Sequence, residues 1–238
     1  MYNIFWDFDG TLGYRDGYWS DTLYSVLLKN NILNISPEKI SPYLSSSSGM
    51  KLFYTWHIHE KSHKELFNGK TWYEYYENGF YEVFNKLGLD KDISRILSQK
   101  VIPEYIDYTK WFKYNDVIEI LEEINNKGYK NYILSNHIPE LDKIVENIGL
   151  KNHFHKIYTS GNIGYEKPNI KIYEYVLNDL NINKNNCIII GDSYKADIKG
   201  GESMGIKSIL VRAENKFNYK WYCNDLKNIM GVIEKIIL

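Results

Sequence analysis

Five short apolar segments divide this chain and constrain its fold more than any other feature. Each is too short for a helix, is rich in isoleucine and is bounded by residues that favour turns. Runs of this kind are typical of β-strands buried on both faces of a sheet. Four of the five lead into residues that can do chemistry, such as Asp7, Ser135 and Asp192. The predicted strands cover residues 2–6, 129–134, 156–160, 187–190 and 208–211.

Helical patterns lie between these strands. The stretch 115–128 places four aliphatic side chains on one face, with Asn115 as its N-cap and Gly128 as its stop. Alternating strands and helices predict βαβ units, and therefore an α/β fold with a Rossmann-like parallel sheet. Because ligands bind beyond the carboxyl ends of such strands, the polar residues that follow them are expected at one site. The other predicted helices cover residues 139–150, 169–180 and 224–237.

Residues 16–101 break this alternation and predict an inserted helical domain. An aromatic stripe in 71–89 recurs at the helical spacing and is expected to be packed core rather than a ligand platform. The polar stretch 41–49 is expected to be an inter-helix loop, and residues 41–52 are expected to contact substrate. The remaining residues, 1–15 and 102–238, form the predicted α/β core.

Composition excludes several classes of protein. The formal net charge of −1 predicts no nucleic-acid partner and no anionic membrane surface. The chain has no stretch of 18 apolar residues and no basic-then-apolar leader, so no membrane association is expected. Two cysteines, Cys187 and Cys223, are too few for a disulfide framework. A cytoplasmic protein is predicted.

The segment DFDGTL, residues 7–12, is the strongest local candidate for chemistry. It sets two carboxylates one residue apart at the end of a buried strand. One carboxylate can attack a substrate while its neighbour handles protons. Gly10 and Thr11 allow the chain to turn immediately afterwards. The structural alternative is a simple turn or a loose calcium-binding loop, but the later ligands expected of an EF-hand are absent.

Four segments in order carry a wider resemblance: DFDGTL (7–12), LSN (134–136), EKP (166–168) and GDSYKAD (191–197). With them, the chain closely resembles the haloacid dehalogenase superfamily. The likeness is to its phosphatase-like members, which carry a helical cap inserted after the first motif. It covers the whole predicted core and is only general in the cap.

The resemblance implies a site for Mg²⁺ and a phosphate group. The metal would be held by the carboxylates of Asp7 and Asp192 and by the backbone carbonyl of Asp9, an oxygen-only set that suits Mg²⁺. Asp197 would support the metal end or the lysine of the third motif. The phosphate group would be bound by Lys167, Asn136 and Ser135, the last with backbone amides at a helix start.

The resemblance also implies a reaction. Asp7 would attack phosphorus to form an aspartyl-phosphate, and Asp9 would protonate the leaving oxygen and then activate water. An Asp at this second position favours phosphate esters over the superfamily's dehalogenation and phosphonate chemistry. A phosphatase acting on a small phosphorylated metabolite is therefore predicted. A phosphomutase and a non-catalytic binding protein stay open as alternatives, as do the substrate's identity and the oligomeric state.

HEKSH, residues 59–63, matches the H-E-x-x-H pattern of zinc proteases. On a helix, His59 and His63 would share a face and Glu60 would be the base. The motif falls within the predicted cap, away from every strand end, and nothing marks a third ligand among later acids such as Glu77 or Glu82. A solvated cap helix is therefore favoured over a zinc site.

Overall fold

The computed structural model describes residues 1–44 and 61–238. The chain divides into two compact units. The sheet unit comprises Met1–Tyr14 and Trp111–Leu238, and the helical unit comprises Arg15–Lys110. Each unit is described by itself below.

A parallel sheet forms the centre of the sheet unit and confirms the predicted α/β class. Its six strands lie in the order β5-β4-β1-β6-β7-β8, and each neighbouring pair is parallel. β2 and β3 pair in a separate two-stranded sheet. The strands are β1 (Asn3–Trp6), β2 (Gly13–Arg15), β3 (Trp111–Lys113), β4 (Lys130–Ser135), β5 (Lys156–Thr159), β6 (Cys187–Gly191), β7 (Lys207–Val211) and β8 (Tyr222–Cys223).

The five predicted strands all appear within one or two residues of their expected ends. β1 and β6 are buried at every position, as continuous apolar runs in the centre of a parallel sheet should be. β8 was not predicted from the sequence, because its two residues are too few to form a recognisable pattern.

The helical unit is built on aromatic packing. Tyr76, Phe80 and Phe84 of the predicted stripe are buried in its core, and Trp72 packs against that core partly exposed. The stripe is therefore a packed face, as expected from its spacing. The described helices of this unit are α1 (Trp19–Lys29), α2 (Pro37–Leu44), α3 (His63–Leu66), α4 (Trp72–Lys86) and α5 (Lys91–Tyr105).

Helix α5 runs through the boundary predicted after residue 101, and the helical unit continues to Lys110. Pro103 lies in the last turn of α5 without ending it. A proline so near the end of a helix removes one backbone donor and leaves the preceding turns intact.

The helices of the sheet unit flank the parallel strands. Gly128 follows α6 with a positive φ of 78°, as its predicted role requires, while Asp116 rather than Asn115 occupies the N-cap position. A π-helical turn, Tyr194–Lys199, follows β6. The α-helices are α6 (Val117–Asn126), α7 (Leu141–Asn147), α8 (Ser160–Ile163), α9 (Ile170–Leu180), α10 (Gly200–Ser203) and α11 (Ile229–Ile237).

In the described ranges 1–44 and 61–238, every helix is too short or too polar to cross a membrane.

Candidate active site at the carboxyl edge of the sheet

The carboxyl ends of β1, β4 and β6 meet at one edge of the sheet. Trp6, the last residue of β1, lies opposite Ile133 of β4 and Ile190 of β6. Asp7 therefore follows at the point where the chain connections switch direction, with β4 on one side and β6 on the other. The Asp7 N–H donates to the Ile190 carbonyl at 2.8 Å, which continues the ladder one residue beyond the strand.

Lys167 lies at the centre of the site, almost fully buried at 2% exposure. Its Nζ donates to Asp7 Oδ1 at 2.8 Å and to Asp197 Oδ1 at 2.5 Å. Burial alone would lower the pKa of Lys167, but the charges of Asp197 and Asp7 raise it above its ordinary value. The lysine therefore stays charged and joins the first and fourth motifs.

Asn136 holds the backbone of Lys167. Its Nδ2 donates to the Lys167 carbonyl at 2.9 Å, and its Oδ1 accepts from the Lys167 N–H at 2.7 Å. Both polar atoms of the amide are thus engaged with main chain. This places Asn136 where it orients the lysine, whereas contact with a phosphate group remains a prediction.

Three carboxylates converge beside this lysine. One oxygen each of Asp7, Asp192 and Asp197 lies within 4.8 Å of the other two. Burial and the nearby charges of Asp7 and Asp197 raise the pKa of Asp192 well above its ordinary value. Three acids beside one ammonium leave an excess of negative charge in a largely buried place, and the ligand atoms that they offer are carboxylate oxygens. The residues therefore fit a hard divalent cation.

Asp197 has both oxygens engaged by protein donors. Oδ1 accepts from Lys167, and Oδ2 accepts from the Ser193 N–H at 3.0 Å. Burial and Asp7 raise its pKa against the opposing effect of Lys167. Tyr173 donates its hydroxyl to the Ala196 carbonyl at 2.7 Å and so anchors the π-helical turn that carries Asp197. π-Helical turns recur at functional sites.

Gly10 brings the turn after β1 against Asp192. It has a φ of +75°, and a Cβ built there would lie 2.3 Å from Asp192 Oδ2. A side chain at this position would therefore strain the backbone and displace the carboxylate. The sequence indicated the turn at Gly10 but not this contact.

Asp9 stands apart from the three clustered carboxylates. Its side chain is 47% exposed, and its Oδ2 lies 3.6 Å from His137 Nε2. Burial lowers the pKa of His137 to about 4, so the imidazole is neutral at pH 7. An exposed carboxyl group suits an acid that exchanges protons with substrate or water.

Ser135 ends β4 beside this site and is 1% exposed. The helix predicted over residues 139–150 starts two residues later than expected, so the backbone amides next to Ser135 are not at a helix start, as the resemblance implied they would be. Helix α7 begins at Leu141, and residues 136–140 form an irregular turn before it. Backbone donors near Ser135 therefore belong to a loop.

Sequence reasoning missed three residues around the site: Tyr173, His137 and Arg212. Tyr173 sits in an ordinary apolar helix pattern, where a tyrosine resembles core. His137 directly follows the second motif but belongs to no motif itself. Arg212 follows the last predicted strand, and only its position at a strand end could have drawn attention to it.

Among the described residues, no metal-binding cluster includes a residue of the HEKSH segment. His59 and Glu60 lie outside the described residues, as does most of the polar stretch 41–52. His63 is 5% exposed and stacks on Phe67 with ring centroids 4.6 Å apart. The cluster of Asp7, Asp192 and Asp197 is the one metal-capable group found within residues 1–44 and 61–238.

Similarity to known proteins extends over most of the chain. The family model for haloacid dehalogenase-like hydrolases matches residues 4–211. A glyceraldehyde 3-phosphate phosphatase from Methanothermobacter thermautotrophicus is 31% identical over 40% of this chain and 42% of its own length. A phosphoserine phosphatase from Thermus thermophilus is 25% identical over 57% of this chain and 53% of its own. The matched segment thus spans about half the length of these curated relatives.

Solved structures share the fold at lower identity. A magnesium-bound HAD-hydrolase from Bacillus subtilis has a TM-score of 0.72 at 19% identity, covering 98% of this chain and 99% of that one. A 2-haloacid dehalogenase from Pseudomonas syringae has a TM-score of 0.65 at 16% identity, with 99% of both chains covered. Both likenesses concern the fold alone. Since the family model spans all four motifs and the clustered residues, the chain belongs to the haloacid dehalogenase-like hydrolase family.

Proposed function

We propose that this protein is a Mg²⁺-dependent phosphatase that hydrolyses a small phosphorylated metabolite through an aspartyl-phosphate intermediate. One observation carries the proposal: three carboxylates converge around a single buried ammonium at the switch point of the sheet. A buried site with excess negative charge suits a divalent cation together with an anionic substrate, which is the combination that phosphoryl transfer requires.

In this proposal, Mg²⁺ would be held by the carboxylates of Asp7 and Asp192 and by the backbone carbonyl of Asp9. When bound, the cation would supply positive charge that lets a carboxylate approach a phosphate dianion. Asp197 would remain on Lys167, since both of its oxygens already accept hydrogen bonds. The magnesium bound to the Bacillus subtilis neighbour supports this choice of ion.

The protein's own residues would then divide the work. Lys167 and Ser135 bind the phosphate oxygens, and Asp7 attacks phosphorus and breaks its bond to the leaving oxygen. Asp9 gives that oxygen a proton, and in the second step it takes a proton from the water that releases phosphate. The exposed position of Asp9, apart from the cluster, is compatible with this exchange.

Asp9 also favours phosphate esters over carbon–halogen bonds. The likeness to a dehalogenase shows that the fold alone does not choose between the two reactions. Cleavage of a phosphate ester needs an acid at the leaving oxygen, whereas loss of a halide does not. The names of the two phosphatase relatives point in the same direction.

We also propose that the helical unit acts as the cap of this enzyme. In such an arrangement a cap excludes bulk water and sets specificity, which favours small substrates over phosphoproteins. A cytoplasmic location fits the two free cysteines, Cys187 and Cys223, since both are buried and unbridged.

A metabolite screen with Mg²⁺ tests the function. Phosphate release and isomerised product would be measured for an aryl phosphate, glyceraldehyde 3-phosphate, phosphoserine, phosphoglycolate, sugar phosphates and nucleoside monophosphates. The wild type is expected to release phosphate, and the rate of release is expected to fall by more than about 10³-fold in Asp7→Asn. Asp179→Asn is the matched control, because Asp179 also accepts from a lysine but lies outside the site. Isomerised product would indicate a phosphomutase, and equal inactivity of wild type and Asp7→Asn would refute the enzyme.

A further inference from the structure

Arg212 adopts a backbone conformation that is uncommon for a residue with a side chain. It follows the last residue of β7 with a φ of +57°, in the left-handed region. The turn around it is closed by the Ala213 N–H, which donates to the Val211 carbonyl at 2.6 Å. Strain of this kind persists only where surrounding contacts hold it, and it is common at functional sites. Arg212 lies one residue beyond the matched family segment, which ends at Val211.

The Arg212 side chain explains what holds the strained turn. Its Nε donates to the Thr11 carbonyl at 2.9 Å, and its Nη2 donates to Asp116 Oδ1. The guanidinium lies over the Tyr114 ring, 3.9 Å from the centroid. The side chain is 13% exposed. One planar group therefore joins the ends of β7, β3 and the turn after β1.

Asp116 is itself fixed. Its Oδ2 accepts from the Leu226 N–H at 2.9 Å, while Oδ1 accepts from Arg212. Burial alone would raise the pKa of Asp116, but the hydrogen bonds from Arg212 and Leu226 bring it below its ordinary value. The carboxylate thus stays ionised and gives the guanidinium a rigid support.

Thr11 is the point at which this support reaches the catalytic turn. Within the turn, the Leu12 and Gly13 N–H groups both donate to the Phe8 carbonyl, at 2.9 and 3.0 Å. Outside it, Arg212 holds the Thr11 carbonyl, and the Tyr114 N–H donates to the Leu12 carbonyl at 3.1 Å. The turn carries Asp9 and places Gly10 so close to Asp192 that a side chain at position 10 would not fit. A shift at Thr11 would therefore move Asp9 relative to the carboxylate cluster.

We propose that Arg212 is a positioning residue that fixes the turn after β1, and with it Asp9, relative to Asp7 and Asp192. The inference rests on the proposed function for its kinetic consequence, but the geometric claim stands without it. Lysine cannot replace the arginine, because a single ammonium does not donate to Thr11 and Asp116 in the fixed directions of a guanidinium fork.

The test compares Arg212→Ala and Arg212→Lys with the wild type and with Arg95→Ala. Arg95 is a matched control, since it lies over the Tyr81 ring at 4.0 Å and donates to Asn78, within the helical unit. Both Arg212 variants are expected to lose about 10- to 100-fold in kcat with little change in KM, since small misplacement of a catalytic group costs up to about 10²-fold. Arg95→Ala is expected to keep the wild-type kcat.

Chemical rescue separates positioning from general stability. A cavity of about 550 Å³ is lined by Tyr114, Asp116 and Arg212, so Arg212→Ala opens a space that a small cation can enter. Methylguanidinium at concentrations that do not unfold the protein is expected to restore part of kcat in this variant. The wild type and Arg95→Ala are expected not to respond.

Hydrogen exchange gives a readout that does not depend on activity. In Arg212→Ala, the amides of Leu12 and Gly13 should exchange faster while those of β4 and β6 keep their rates. This result supports the proposal even if the wild type releases no phosphate, an outcome that would instead refute the proposed function. Retained kcat, loss without rescue, or exchange that rises throughout the sheet unit would each overturn the assignment of Arg212.

Discussion

Each of the two units pairs buried carboxylate with lysine, and the two clusters have opposite charge balances. In the helical unit, a single carboxylate, Glu104, accepts from Lys29 at 2.6 Å, from Lys110 at 2.7 Å and from Ser25 at 2.6 Å. Burial alone would raise the pKa of Glu104, but these hydrogen bonds lower it to about 2. In the sheet unit, Lys167 pairs with two of three clustered carboxylates, Asp7 and Asp197, and the pKa of the third, Asp192, is raised.

The difference separates a structural cluster from a functional one. Glu104 has a donor for each oxygen and a surplus of positive charge nearby, so nothing further is needed to stabilise it. The sheet-unit cluster has more negative charge than its lysine neutralises, which is costly in a buried place unless a cation joins it. Both clusters contain an acid with a shifted pKa, so a shift alone does not distinguish them. The direction of the shift does, since the pKa is lowered for Glu104 and raised for Asp192.

Replacing Lys167 by Met should produce the largest effect. The change leaves Asp7, Asp192 and Asp197 without the ammonium, and breaking a buried ion pair costs about 3 to 5 kcal/mol. The free energy of unfolding in urea, measured without Mg²⁺, should fall by that amount, and phosphate release should fall by more than about 10²-fold.

Lys156→Met supplies the control for that loss. Lys156 also pairs with an aspartate, Asp179, at 2.6 Å, but its side chain is 49% exposed. Exposed pairs of this kind contribute at most about 1 kcal/mol. If both variants lost the same free energy of unfolding, the excess negative charge of the sheet-unit cluster would not be costly to the folded state.

Mg²⁺ should stabilise the wild type, because it would bind the folded cluster and not the unfolded chain. At 100 times the dissociation constant the gain is about 2.7 kcal/mol. Hydrogen exchange should show the protection in the turn after β1 and in the π-helical turn, Tyr194–Lys199. Asp192→Asn should lose this response to Mg²⁺. An equal response in that variant would place the ion elsewhere.

Glu104→Gln tests the other side of the comparison. Hydrogen bonds to a charged group contribute about 1.5 to 3 kcal/mol, and this much of the unfolding free energy should be lost at pH 7. The pKa of Glu104 is depressed in the folded state, so its stabilisation is present above the ordinary value of 4.5 and is lost as pH falls toward about 2.

Acid unfolding of the Glu104→Gln variant should therefore lack this component between pH 4.5 and about 2. Mg²⁺-dependent phosphate release should be unchanged once the fraction of folded protein is taken into account. A kinetic defect that stability does not explain would contradict a purely structural role for this cluster.

The sheet could be predicted from sequence because burial on both faces imposes a continuous apolar run. β1 and β6 carry such runs, and the motif residues follow directly from their ends. The convergence of Asp7 and Asp192 then follows from parallel topology, whereas Lys167 was expected there only from the family resemblance. Helix ends were less readable: α7 covers Leu141–Asn147 where the sequence predicted residues 139–150.

The parts of the site that sequence did not reveal are those held by main-chain contacts. Phosphate binding by Asn136 stays a prediction, but the sequence did not reveal that its side-chain amide bonds to the backbone of Lys167. Arg212 reaches the Thr11 carbonyl across 201 positions of sequence. Every residue has a backbone carbonyl, so a side chain that binds one requires no particular residue type in its partner. Such a contact cannot be predicted from the sequence.

The smallest expected effect sharpens the comparison within the sheet unit. Tyr173 and Tyr158 both have buried rings and donate their hydroxyls, Tyr173 to the Ala196 carbonyl and Tyr158 to Asp179. Replacing either by Phe removes one hydrogen bond, which should cost about 1 kcal/mol of unfolding free energy. Only Tyr173→Phe loosens the turn that carries Asp197, and thereby Lys167. It alone should lower kcat, by about 3- to 10-fold, a fraction of the loss that a 1 Å misplacement causes. Matched losses of stability with matched kcat would show that Asp197 is held by Lys167 and Ser193 without help from Tyr173.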